Sequence, residues 1–357
     1  MQIQAGTGRH PSFRCLWPLL ISVLLLWPGL AWAQPTDDPL TTARRGTVSG
    51  QITQGTAGGA AVPANMEVTL LLLNAGVVEA EYSAQAGADG RFNFRDVPLA
   101  AGVTYIANTI YRERSFSSEF LVAEVTSDAL NLPITIYELT EDRSVISIAE
   151  TVIQIIASGE TLEFRQSLRF INSADRLFTS SGDLGGGRFP SLAISLPPGS
   201  QPVGYDDANR YVSSPETFTV VDTAPVLPGD QHQAVVVYIQ PYDGRSALIE
   251  QQVNYPFNGT ARLLVWPETL TISGDGFAED GSETLGDRTY RRYTATVALA
   301  AASALRYEIG GAAALVAQQT PVNTESILLG LIGIVGVGAL VVALALYLRG
   351  RGSPLTR

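Results

Sequence analysis

A few places in this 357-residue chain gather side chains that can do chemistry. Val221-Asp222-Thr223-Ala224 has the order of a turn that presents a carboxylate, and two such carboxylates can share a proton and activate water. Only one copy is present, and Ala224-Pro225 stands where a glycine would let the turn approach a substrate. A non-catalytic turn is expected. His232 follows Gly229-Asp230-Gln231, but outside the N-terminal segment the chain has no second His, no Cys and no Lys with which to build a relay. It reads as an exposed loop histidine. The loop from Gly274 to Asp287 is rich in carboxylates, and Asp275, Glu279 and Asp280 are its calcium candidates. It lacks the Asp-x-Asp-x-Asp-Gly spacing of a defined calcium loop, so a solvated hairpin loop is the first reading. Tyr205, Asp206, Asp207 and Tyr211 put aromatic faces beside carboxylates, the chemistry of a sugar-binding patch. Packing at strand ends is the competing account.

Composition excludes more than these motifs offer. Cys15 and His10 both precede or adjoin the first apolar run, which leaves no disulfide, no thiolate nucleophile and no cysteine- or histidine-rich metal site downstream. All 23 basic residues are arginine, so Schiff bases and Ser-Lys dyads are impossible. A formal net charge of −11 argues against nucleic acid as a partner. Gly185-Gly186-Gly187 lacks the lysine and the strand-to-helix setting of a phosphate loop. Asn258-Gly259-Thr260 is a formal glycosylation sequon, but the lysine-free composition looks bacterial and no glycan is expected. The expectation is no catalytic residue, no cofactor and no enzymatic activity.

The elements that must position these residues are strands. Arg9 and Arg14, an apolar run from Leu16 to Leu30 and Ala31-Trp32-Ala33 read as a signal peptide over 1–33, with an uncleaved anchor as the alternative. At the other end, Ile327–Leu348 carries no charge and is long enough, at about 1.5 Å per residue, to cross a hydrocarbon core of roughly 30 Å. Arg349 and Arg351 follow it, which puts the tail 349–357 in the cytoplasm and the N-terminus outside. Gly330, Gly333, Gly336, Ala339 and Ala343 offer a surface on which another helix can pack closely. Stretches 34–45 and 310–325 read as linkers.

Between them, short runs rich in Val, Ile, Thr, Tyr and Phe alternate with Gly, Pro, Asp and Asn clusters, as in all-β domains. Gly46-Thr47-Val48-Ser49-Gly50, Asp89-Gly90-Arg91-Phe92-Asn93-Phe94, Val97-Pro98 and Gly102-Val103-Thr104-Tyr105 resemble the carboxypeptidase regulatory-like domains. That resemblance implies a seven-stranded, transthyretin-like β-sandwich over 46–140, used for stability, spacing or adhesion. Some adhesin relatives carry a Lys-Asn isopeptide bond, which a chain without lysine cannot make. Over 144–309, Val145–Ala157 and Thr161–Ile171 alternate on either side of Gly159, and further strands follow to Ala300. A second, larger antiparallel sandwich is expected.

The sequence therefore reads as mainly β: two antiparallel β-sandwich domains followed by one transmembrane helix over 326–348. The expected role is a single-pass type I protein of the cytoplasmic membrane whose exposed loops contact protein or polysaccharide. An accessory subunit of a membrane transport or assembly complex, docking through the glycine-rich helix, is the alternative.

Overall fold

The computed structural model describes residues 40–124, 128–274 and 276–311. The expected signal peptide, nearly all of the linker 34–45, the span 326–348 with Gly330, Gly333, Gly336, Ala339 and Ala343, the tail 349–357 and Asp275 lie outside them. No helix of the described residues is long and apolar enough to cross a membrane. The described chain is mainly β, and its only helical pieces are 3₁₀ turns at Arg143–Val145 and Pro215–Thr217.

The first region comprises β1 (Arg44–Gln54), β2 (Glu67–Asn74), β3 (Val77–Gln85), β4 (Arg91–Leu99) and β5 (Thr104–Tyr111). Shorter strands follow: β6 (Arg114–Ser117), β7 (Leu121–Val122), β8 (Ala129–Asn131), β9 (Ile134–Ile136) and β10 (Leu139–Thr140). They form two sheets, β4-β1-β8 with β9 also on β1, and β3-β2-β5-β6 with β7 also on β5. Strand periodicity explains the core between them. Val48 and Ile52 of β1, Phe92 and Phe94 of β4, Val68, Leu70 and Leu72 of β2, and Tyr105 and Ala107 of β5 point inward and pack as one cluster. Gly50 shares that face because nothing larger fits: a Cβ there would lie 2.3 Å from the Leu132 carbonyl oxygen and 2.4 Å from the Phe92 ring. Strand β1 begins at Arg44, inside the stretch expected to be linker.

The second region opens with a long hairpin, β11 (Ile146–Ser158) and β12 (Thr161–Asn172), and continues with β13 (Leu177–Phe178), β14 (Leu192–Ser195) and β15 (Gln201–Tyr205). Next come β16 (Tyr211–Ser214), β17 (Thr219–Asp222), β18 (Gly229–Pro241), β19 (Ser246–Gln252) and β20 (Phe257–Trp266). Strands β21 (Thr271–Ser273), β22 (Ala278–Leu285), β23 (Arg288–Leu299) and β24 (Ala304–Gly310) complete it, the last reaching the first residue of the second expected linker. A seven-stranded sheet, β15-β18-β12-β11-β20-β23-β22, is faced by two three-stranded sheets, β14-β17-β16 and β19-β24-β21, around one apolar cluster. The sheet is not wholly antiparallel as expected, because β11 and β20 run parallel. A bulge at Ala149 shifts the phase of β11, so Ile146 and Ile148 face inward before it and Thr151, Ile153, Ile155 and Ala157 after it. The displaced Ala149 carbonyl lies against Gly259 of β20, where a Cβ would come within 1.8 Å of it.

The facing three-stranded sheets meet through side chains rather than a ladder. The outer edge of β14 is bonded by Gln251, Asn254 and Tyr255: Ala193 N donates to the Tyr255 hydroxyl (3.1 Å), Asn254 donates to Ala193 O (2.8 Å) and Gln251 donates to Ser195 O (2.7 Å). Gln251 and Gln166 also exchange amide hydrogen bonds in the core at 2.9 and 3.1 Å. This satisfies polar groups that burial would otherwise make costly.

The two regions are stitched together. β10 pairs with β13, Leu177 packs into the first region's core, and the Arg114 guanidinium lies 3.3 Å over the Phe189 ring and donates to Ser180 O (2.9 Å). Glu138, 7% exposed, takes the Tyr111 hydroxyl (2.9 Å), the Ala60 amide (3.2 Å) and Arg112 (2.8 Å). Burial works against its carboxylate, yet these partners hold its pKa below the ordinary value.

Candidate functional site

Strand β17 reads Thr219-Val220-Val221-Asp222, and its period of two turns Val220 and Asp222 inward while Val221 faces out. Asp222 is therefore no exposed turn carboxylate. It is fully buried, and the fork of Arg210 grips it through Nε to Oδ1 at 2.7 Å and Nη2 to Oδ2 at 2.5 Å. Arg210 precedes β16, the hairpin partner of β17, so the pair spans one hairpin. His232 adds the third member. It lies on β18, not in an exposed loop: its side chain is 9% exposed and its Nε2 lies 2.8 Å from Asp222 Oδ2. The same Nε2 also lies 3.0 Å from Arg210 Nη2, so the ring sits against both members of the pair. Arg210 Nη2 also donates to Gln233 O at 2.7 Å, which locks the β16–β17 hairpin onto β18.

Electrostatics sort the carboxylates nearby. Burial opposes ionisation of Asp222, but Arg210 and His232 overcome it and hold its pKa down at about 2. Asp206, with a 3.5 Å approach to Arg210 Nη1, is pushed up by burial despite that charge. Burial, then the Asp222 charge, raises Tyr211 as well, while its hydroxyl accepts from Val235 N at 3.2 Å. Of the expected sugar-binding patch, Tyr211 is thus turned inside, while Tyr205, Asp206 and Asp207 are half-buried. Tyr211 is 4% exposed and stacks on Tyr205 with centroids 5.0 Å apart, and Asp207 caps its own turn by accepting from Asn209 N at 2.9 Å.

The acidic loop also differs from its reading. Most of it is the edge strand β22, paired with β23. Glu279 turns to Arg291 (3.8 Å), and Asp280 and Glu283 turn to Arg292 (3.4 and 3.8 Å), so these carboxylates spread along arginines instead of converging. Among the described residues no group of three or more His, Cys, Asp or Glu is placed to hold a metal ion.

The outward face of β17 borders a cleft of about 290 Å³ at the junction of the two regions. Ala193, Val221, Pro190, Tyr255 and Phe178 line it, with Glu141, Arg143 and Ser191 as polar members of the lining. Arg143 lies with its guanidinium 5.2 Å from the Tyr255 ring centroid and makes no ion pair among the described residues. The Ser191 hydroxyl is buried without a hydrogen-bond partner. Ser191 N, however, donates to Asp222 O at 2.9 Å, so the buried charge cluster braces the cleft from behind. Glu141 accepts from Ser181 N at 2.7 Å, and the hydrogen bonds from Ser181 hold its carboxyl below the usual range. The sequence reading missed this site. Its residues come from five separate stretches, and only their fold brings them together.

No family model and no curated protein matches the chain. Among solved structures, it is similar to an M1 zinc metallopeptidase from Deinococcus radiodurans at 12% identity and a TM-score of 0.30, over 46% of this chain and 42% of the other. It is also similar to a suggested carbohydrate-binding protein from Pseudomonas aeruginosa at 15% identity and a TM-score of 0.19, over 27% of this chain and 94% of the other. The all-β content, arranged in facing sheets, fits a β-sandwich-type domain. The expectation that the chain is not an enzyme is withdrawn, because one neighbour is a peptidase. A likeness of that size assigns no activity here, and the chain spans less than half of the peptidase.

Proposed function

We propose that the protein is an envelope-side binding module. In this reading the first region is a carboxypeptidase regulatory-like sandwich that spaces and stiffens the second. The segment 326–348 holds both at the outer face of the cytoplasmic membrane, and the junction cleft takes the ligand. The cleft carries the reading: it is a concave site with a partly apolar lining that also holds an exposed guanidinium outside any described ion pair. The buried Asp222, Arg210 and His232 behind it supply rigidity.

Val221→Arg tests it. The side chain points outward from β17, so a long cation fills the cleft without entering the core. Full-length protein in detergent, immobilised and exposed to its own solubilised envelope, is expected to retain envelope polymer, and the variant to retain none above background. Equal retention by both, with matching thermal midpoints, removes the cleft from the function.

A further inference from the structure

We infer that the outer face of the seven-stranded sheet pairs with the same face of a second copy of this chain, with Arg165 of each copy on Glu163 of the other. Residues paired across a ladder share a face, so the register lays this surface out in rows over β18, β12, β11 and β20. One row runs Val237, Arg165, Gln154, Leu264, and the next runs Ile239, Glu163, Ile156, Trp266. On the far side of the first, a third runs Val235, Ser167, Val152, Arg262. These positions alternate with Phe164, Ile155 and Leu263, which face the core shared with the two smaller sheets. A sheet with one face in water alternates apolar with polar residues, and two of these strands do not. Val235-Val236-Val237-Tyr238-Ile239 and Leu263-Leu264-Val265-Trp266 are unbroken apolar runs, the pattern of strands covered on both faces. Val235 and Leu264 are buried, yet neither belongs to the core cluster.

Charge selects the occupant. Arg165 and Glu163 lie two residues apart on the interior strand β12, and both are half-buried. Neither side chain has an ion pair or hydrogen bond among the described residues. The other charges of the face are paired: Glu150 with Arg169 and Arg262 at 3.5 Å each, and Arg292 with Asp280 at 3.4 Å. Burial holds the Arg165 guanidinium below its ordinary range, and the charges of Asp206 and Glu163 only partly oppose this. A lone cation and a lone anion at neighbouring positions on one face are self-complementary, because a two-fold axis between them sets each against its opposite. A purely acidic partner satisfies Arg165 and repels Glu163, and a purely basic one does the reverse. A fourth row, Gln233, Arg169, Glu150, Thr260, completes the face. At about 4.8 Å between strands and about 6.8 Å between rows, four rows over β18 to β23 cover roughly 650 Å². The edge strands β15 and β22 bring the face near the about 800 Å² per partner of a standard interface.

The test is the mass of the full-length protein in detergent, measured by sedimentation equilibrium over a concentration series. Wild type is expected to be a dimer that dissociates on dilution. Arg165→Glu and Glu163→Arg each set like charges face to face, and each alone should raise the dimer dissociation constant by roughly 100-fold or more. Thermal midpoints of both variants should match wild type, since the two side chains stand on the outer face. Mixed in equal amounts, the variants should associate again, because one then supplies two carboxylates and the other two guanidiniums. A single chain carrying both exchanges should dimerise like wild type. A wild type that stays monomeric overturns the inference. So does a dimer indifferent to both variants, which places association elsewhere on the chain. Variants that stay monomeric when mixed overturn the pairing of Arg165 with Glu163.

Discussion

The two β regions bury their interiors by different means. The first packs aromatic and aliphatic side chains against a glycine, with Tyr105 bonding its hydroxyl to Pro98 O (2.6 Å) and to Ala100 N (2.9 Å). The second threads polar groups through its core: the Arg210–Asp222–His232 cluster and the Gln166–Gln251 exchange. Apolar packing tolerates adjustment, whereas a buried charge pair is stable only while every partner is present. The second region is therefore the one whose interior depends on keeping charged partners together. It is also where the cleft lies.

The largest expected effects set these modes against each other. Arg210→Ala strands a fully buried carboxylate and should cost about 3–5 kcal/mol. Phe92→Ala opens a cavity in the first core and should cost a similar amount, about 3–5 kcal/mol. Rescue tells them apart. Adding Asp222→Leu to an Arg210→Met background removes both charges and should recover most of the loss, as replacing a buried pair by apolar groups often does. Denaturant midpoints at constant slope report all three. If the double replacement is as unstable as Arg210→Ala, the charge cluster is not the reason the hairpin is fragile.

Much of this fold is legible in the sequence, but the polar core is not. Strands β11 and β12 follow the alternation of Ile153, Ile155 and Ala157 with Leu162, Phe164, Leu168 and Phe170. Asp222 and His232 were hidden by a wrong choice of element. Read as loop residues, they carry no phase. Read as strand residues, Asp222 falls in step with Val220, and His232 with Ala234, Val236 and Tyr238. A charge on the inward phase demands a buried counter-ion, and Arg210, next to the hairpin, was available to supply it. The cleft had no comparable signal, since Glu141, Ser191, Val221 and Tyr255 meet only through the packing of sheets.

Acid should act on the buried charges of the second region at a smaller cost. Asp222 has a folded pKa of about 2, below the ordinary aspartate value of about 3.9. Its contribution is thus fully present above about pH 4 and is lost as pH falls toward 2, an effect of about 2 kcal/mol. Asp206 has the opposite sign. Its raised pKa contributes stability at low pH that is lost as pH rises through the folded value, so it partly offsets Asp222 in acid. Asp206→Asn should make the acid-induced fall in thermal midpoint steeper. A shallower fall in that variant would show that Asp206 is not destabilised by its burial.

The smallest effect belongs to the sheet edges, where the regions behave alike. β3 and β22 each end a sheet and carry glutamates, Glu79 and Glu81 on one and Glu279 and Glu283 on the other. Charges on an edge discourage pairing with another chain. The ion pairs of β22 with Arg291 and Arg292 are long and partly solvated, and such pairs contribute at most about 1 kcal/mol. Asp280→Asn should therefore move the unfolding midpoint by less than that, and equally in calcium and in chelator. A calcium-dependent gain abolished by Asp280→Asn would instead mean that the edge carboxylates leave their arginines for a metal. The second region would then owe its stability to an ion as well as to its buried charges.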